Sequence, residues 1–219
     1  MPALVNTLII TALSLLIAIP FGVFTAIYLV EYAKKGSKIV KLIRITAETL
    51  SGIPSIIYGL FGLLFFCTAL KWGYCLLAGA LTLVIMILPL IIRTSEEALL
   101  SVPDAYREAS FGLGAGKLRT IFHVVLPTAI PGILSGVILA TGRIVGETAA
   151  LLYTAGSVAK IPNLMGSGRT LAVHMYVLSS EGLYMDQAYA TAVVLLVFVL
   201  ALNGISNLLA KQLTKGRNA

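Results

Sequence analysis

Charge is scarce in this sequence: Asp, Glu, Lys and Arg make up 11% of its 219 residues, against about 25% in an ordinary soluble domain. That supply cannot coat a water-soluble particle of this size, which excludes a soluble globule. Side chains for metal binding and catalysis are few as well. The two histidines, His123 and His174, stand alone, and the two cysteines, Cys67 and Cys75, lack CxxC spacing. Neither HExxH nor GxSxG occurs. No catalytic residue, metal ligand or cofactor is therefore assigned, and the chain is not expected to be an enzyme. Cys67 and Cys75 flank a short turn, so a disulfide across it is geometrically conceivable; two idle thiols are the plainer reading.

What the sequence has is apolar length, with 58% hydrophobic residues and a mean hydropathy of +0.98. Five runs, about residues 3–30, 49–70, 73–92, 129–153 and 188–210, are each long enough to cross a bilayer as a helix, which needs about 20 residues. The expected fold is all-α, a polytopic membrane bundle forming a single transmembrane domain over 1–219. The net charge of +7 lies between the runs, so it reads as membrane topology and not as a nucleic-acid footprint. Lys34, Lys35, Lys38, Lys41, Arg44, Arg93, Arg107, Lys117, Arg119, Lys211, Lys215 and Arg217 fall on one side, and only Lys71, Lys160 and Arg169 on the other. By the positive-inside rule the C-terminus is cytoplasmic and the N-terminus faces outward, in a multi-pass plasma-membrane protein. The first run has no basic n-region and no cleavage site, so it reads as a span and not as a signal peptide. An outward start without a leader points to a further helix ahead of it.

Small residues recur every fourth position, Ser14, Ala18, Gly22 and Ala26 in the first run and Gly132, Gly136 and Ala140 in the fourth. Such ridges let helices approach closely in lipid. Pro20, Pro54, Pro89 and Pro131 are expected to bend their helices.

The most specific stretch is Arg93 to Thr128. Ser101, Pro103 and Asp104 read as a helix start, with the Ser101 hydroxyl as cap. A helix to about Phe111 follows, then a hinge of Gly112, Gly114 and Gly116, then a second helix from Lys117 to Leu126 that ends before Pro127. GLGAGK within it is no Walker A loop, because Phe111 stands where the first glycine belongs and Leu118 where Ser or Thr belongs. Instead, Glu108, Ala109, Ser110, Gly114, Val124, Leu126 and Pro127 resemble the EAA signature of ABC-importer permeases: E-A-A, three residues, G, nine residues, I-x-L-P. The resemblance implies a type I, MetI-like core and a cytoplasmic coupling loop over 94–128. In that loop Asp104, Arg107, Glu108, Ala109 and Gly114 serve the contact with ATPase subunits. The spacing itself leaves an amphipathic surface helix without a partner as the plainer alternative.

In the fourth run Arg143 and Glu147 are four apart, expected on one helix face and expected to pair. They are either a neutralised structural clip or a charge offered to a passing anion, with the acid limiting how tightly it is held. Arg93, at a helix end, reads as a snorkelling anchor or as part of the same path. RIVGET in this run, with IIRTSEEAL, IPSIIYGLFG and LAVHMYVLSSEG elsewhere, resembles the phosphate-importer permeases of PstA type. The resemblance implies a sister permease of PstC type, two cytoplasmic ABC ATPase subunits and an extracytoplasmic phosphate-binding protein. It also implies a substrate path through Arg143, Glu147 and Arg93. Other oxyanions (molybdate, tungstate, sulfate) and an ATP-independent secondary carrier are the rival readings. Residues 155–187 carry no motif and are taken as docking surface.

Overall fold

The computed structural model describes residues 1–34 and 36–215; Lys35 and Arg217, used above for topology, lie outside them. Among the described residues there are helices and no strands. α1 (Pro2–Ile27) opens on a proline, which suits a first helical turn, and runs into a π-helical turn, Tyr28–Tyr32. α2 (Lys38–Ser51) is amphipathic, with Val40 buried. α3 (Ser55–Gly62) and its π-helical continuation, Leu63–Ala69, leave α2 at 101°. The turn holds Gly52 and Pro54, so the bend expected at Pro54 is present and the second span starts later than its apolar run.

α4 (Leu76–Leu100) follows, then α5 (Asp104–Gly112). α6 (Lys117–Thr120), a π turn at Ile121–Val125 and α7 (Leu126–Val145) form one continuous helix. The second loop helix therefore does not stop before Pro127. A proline lacks one N–H and its ring conflicts with the carbonyl four residues back, and the wider π turn just ahead of Pro127 accommodates both. The fourth run does end early: the chain breaks at Gly146–Thr148 and restarts as the short α8 (Ala149–Thr154). α9 (Leu171–Glu181) lies within the stretch that carried no motif, and α10 (Met185–Lys215) closes the chain. Among the described residues, four helices are long and apolar enough to span, or five if the bent pair is one span. Pro20, Pro89 and Pro131 sit inside helices that continue past them.

α4 is the axis of the bundle. Two-thirds of its apolar window is buried (67%), against 6% for α10, so α10 is the peripheral helix and its exposed Val193, Leu196, Val197 and Leu200 suit lipid. α1 and α7 flank α4 and pack their small ridges onto it. A Cβ at Gly22 would lie 2.6 Å from Ile91 Cγ2 and one at Gly132 2.7 Å from Ala98 Cβ, while Gly136 abuts Thr94. The Ser14 hydroxyl donates to Ala80 O (3.1 Å). The four-residue spacing in the sequence is thus the seam of the three-helix core.

α3 meets α8 equally closely, a Cβ at Gly59 lying 2.8 Å from Ala150 Cα. Backbone cannot yield as a side chain can, so Gly59→Ala is expected to cost about 1–3 kcal/mol. Differential scanning fluorimetry in detergent should show a lower melting temperature. Gly204→Ala, inside α10 with nothing within 4 Å, should leave it unchanged or raise it, since alanine favours the helix.

At the end of the bundle opposite α5, residues 155–170 fold over the start of α4. Thr154 O, Gly166 O and Leu164 O accept from the amides of Cys75, Leu76 and Leu77 (3.0, 3.1 and 2.9 Å), which otherwise have no partner at a helix start. Cys67 and Cys75 are free and buried beside this cap.

Candidate functional site

α5 projects from the bundle with none of its residues buried, and Glu108 and Ala109 are exposed. Its start differs from the expectation. The Ser101 hydroxyl donates back to Ala98 O (2.8 Å), closing α4 and not capping α5. Asp104 occupies the first turn of α5, where a negative charge is favoured, and Arg107 Nη1 donates to its Oδ1 (3.2 Å).

The end of α5 explains its glycine. Gly114 has φ +82°, Ala115 N–H donates to Ser110 O (3.1 Å) and Gly114 N–H to Phe111 O (2.9 Å). This is a Schellman closure with Gly114 at the left-handed position. The Ser110 and Thr120 hydroxyls are 2.8 Å apart, so the serine that replaces the second alanine of the signature ties α5 to α6. No atom lies within 4 Å of a Cβ at Gly114, and the requirement is therefore purely conformational. Gly114→Ala should shift the closure by about 1 kcal/mol, close to a factor of five in population. Amide hydrogen exchange at residues 114 and 115 should be faster in Gly114→Ala by up to about that factor, and Gly114→Asn should retain more of the protection.

Arg107 is engaged within the chain itself. Its side chain is 14% exposed and Glu31's is 9%. Nε and Nη2 donate to Glu31 Oε1 (3.0 and 2.9 Å), Nη1 to Val102 O (2.8 Å) and Nη2 to Leu99 O (3.0 Å). One guanidinium thereby adds a donor to Leu99 O in the last turn of α4 and to Val102 O just after it, and binds α5 to the π turn after α1. Lys117 Nζ stands 4.8 Å above the Tyr32 ring, a cation–π contact beside the same turn. Sequence reasoning missed Glu31, although it is the only acid before Glu48; a lone carboxylate closing a long apolar run was the available signal.

Arg143 sits in the last turn of α7, half-buried, in an open groove of about 700 Å³ lined also by Leu90, Ser135, Leu139, Gly142 and Asn203. Among the described residues it has no ion pair or hydrogen bond. The expected pairing with Glu147 is overturned because the helix breaks between them and they do not share a helix face. Glu147 is buried, and its Oε1 accepts from Ala150 N–H (3.0 Å), so it caps α8. Arg93 is elsewhere. Its exposed side chain pairs with Glu97 (3.1 Å) at the rim of a separate depression of about 270 Å³ that also holds Arg44, Glu48 and Glu96. Arg44 Nε donates to the buried Glu96 (2.7 Å). The structure thus does not bring Arg93, Arg143 and Glu147 into one cluster.

His174, on α9, keeps Nδ1 buried without a partner. Burial first, then the charge of Arg169, push its pKa below the ordinary value.

Comparison with known proteins places this architecture. Residues 18–217 match the family described as binding-protein-dependent transport system inner membrane component. The chain is 38% identical to the probable ABC transporter permease protein YqgI of Bacillus subtilis over 96% of its own length and 79% of that protein. It is 41% identical to the phosphate transport system permease protein PstA 1 of Mycobacterium tuberculosis, over 70% of this chain and 50% of that one. The chain therefore spans only about half the length of this second relative. Among solved structures, the inward-facing MetNI methionine ABC transporter aligns with TM-score 0.72 at 21% identity, over 95% of this chain and 91% of that one. A bacterial importer of the acidic polysaccharide alginate aligns with TM-score 0.75 at 19% identity, over 96% and 78%; at these identities the likeness shows the fold. The chain belongs to the binding-protein-dependent transport system inner membrane components, the permeases of ABC importers.

Proposed function

We propose that the chain is a transmembrane permease subunit of an ATP-driven importer of inorganic phosphate. The observation that carries this reading is Arg143, a permanent cation in a span with no ion pair among the described residues. An intramembrane charge costs about 2.5–3.5 kcal/mol on insertion scales. The groove around it is therefore best understood as one wall of an aqueous path, completed by a sister permease of PstC type. A guanidinium offers a planar fork of donors that matches phosphate oxygens. The similarity to PstA-named proteins favours phosphate over other oxyanions. Arg93 would serve the same path from its own depression, freed from Glu97 by an arriving anion. Glu147 would act indirectly, by holding the break that leaves Arg143 at a helix end.

In this reading the chain forms one transmembrane domain over 1–219, with a coupling loop over 94–128. Energy enters from two cytoplasmic ATPase subunits at Asp104, Glu108 and Ala109, with Arg107 and Gly114 fixing the helix that carries them. The α5 end is then cytoplasmic, as is the C-terminus, while Met1 and residues 155–170 face outward, toward an extracytoplasmic phosphate-binding protein. Closure of the ATPases moves α5, α4 and α7 tilt with it, and the path wall bearing Arg143 switches access.

Uptake of radiolabelled phosphate into proteoliposomes holding the full complex tests the substrate. Unlabelled phosphate should compete far better than molybdate, tungstate or sulfate. Equal or better competition by one of these would reassign it.

A further inference from the structure

We infer that α1 is a transmembrane connecting rod, linking the coupling helix at one face of the membrane to the outward loop at the other through Glu31 at one end and Asn6 and Thr7 at the other. This rests on the reading of α5 as the ATPase contact. α4 and α7 move with α5 because they are its chain neighbours. α1 is not, since Glu31 and Arg107 are 76 residues apart, so it moves with α5 only if side chains make it do so.

At the α5 end those side chains are present. The Arg107 guanidinium grips Glu31 through two nitrogens and is itself held by Val102 O and Leu99 O. Lys117, the first residue of α6, lies over Tyr32. Neighbouring residues of one π turn are thus fastened to both sides of the α5 hinge. Beneath them Ala26, Ile27, Leu99, Val102, Ile121 and Val125 form one buried apolar cluster. A part-buried two-nitrogen carboxylate contact is stiffer than an exposed ion pair, whose partners are solvated and loosely held.

The far end is fastened as well. Asn6 Nδ2 donates to Lys160 O (2.8 Å) and Arg169 O (3.1 Å), and Thr7 Oγ1 accepts from Leu171 N–H (3.0 Å). Asn6 and Thr7 are buried, and a Cβ at Gly168 would lie 2.7 Å from Asn6 Nδ2. Between the two ends α1 is 26 continuous helical residues, about 39 Å at the usual rise. A helix fixed at both ends and seated along α4 transmits axial and tilting motion without needing contacts of its own to nucleotide or solute. Glu31 and Tyr32 lie within the π turn Tyr28–Tyr32, which continues α1 without a break, and a second π turn, Ile121–Val125, follows α6.

The test uses the full complex of permeases and ATPases in nanodiscs, with Cys67 and Cys75 replaced by alanine. A spin-label pair at Lys34→Cys and Ala105→Cys reports the clamp, and a single label at Ile161→Cys reports the outward loop. On binding a non-hydrolysed ATP analogue, the 34–105 distance should stay constant within about 2 Å, the spread left by side-chain and loop motion, while the signal at 161 changes. Glu31→Gln should abolish the change at 161 and lower phosphate moved per ATP at least tenfold; Glu31→Asp should restore most of both. Thr7→Val, which leaves the clamp intact, should abolish the change at 161 by itself, so the inference remains testable if Glu31→Gln does not assemble. A 34–105 distance that changes with nucleotide, or a change at 161 that survives both substitutions, overturns it. If the ATPases instead hydrolyse ATP without touching α5, the reading of α5 falls too, and crosslinking from Ala105→Cys distinguishes that outcome.

Discussion

Arg143→Ala is expected to abolish ATP-driven phosphate uptake while the permease still inserts, folds and binds its ATPases. Hydrogen bonds to a charged group contribute about 1.5–3 kcal/mol each. Loss of a two-pronged contact to the passing anion therefore lowers transport by about a hundredfold or more. Folding should survive because Arg143 makes no hydrogen bond or ion pair among the described residues, and removing an unpaired charge from a membrane segment lowers the cost of insertion. Arg143→Lys should retain part of the activity, since the charge remains and the planar fork is lost. The checks are uptake into proteoliposomes, gel filtration and co-purification of the ATPase. Wild-type uptake by Arg143→Ala would remove the arginine from the path.

A second large effect should follow from deleting Glu108 to Gly114. No residue of α5 is buried in the bundle, so the deletion removes little from the core, and the protein should remain monodisperse with a melting temperature close to that of the parent. Arg107 stays in place to hold the ends of α1 and α4. What disappears is the exposed rigid knob and the Gly114 closure that gives it a fixed end. ATPase subunits should no longer co-purify and uptake should fall to background. Intact assembly and coupling after this deletion would assign the energy input to some other surface.

Most of the bundle could be read from hydropathy because lipid demands long apolar helices, and the small-residue spacing marked a close-packing face on α1 and on α7 without showing that α4 is the helix they share. The break after Val145 was hidden for a physical reason. Its flanks are as apolar as the helix, and only Gly146, Glu147 and Thr148 mark it, in a pattern equally consistent with an i,i+4 pair. The π turns leave no compositional trace. Ser101 was legible as a boundary residue, but its hydroxyl closes the preceding helix instead of opening the next. For the site, Gly114 could be placed by its spacing, whereas the role of Arg107 could not. Local sequence shows Arg107 three residues after Asp104 in a polar helix, and nothing there announces a carboxylate partner at position 31. Contacts that join distant segments are the part of a coupling device that a linear reading misses.

The central claim is that this chain is a mechanical part driven by nucleotide hydrolysis elsewhere. The most direct test is accumulation of radiolabelled phosphate in sealed liposomes. With the sister permease, both ATPases, the binding protein and ATP, phosphate should accumulate against its gradient, and omission of ATP or of the ATPases should stop it. Accumulation against a gradient by the purified chain alone, in liposomes without ATPase, would contradict the account.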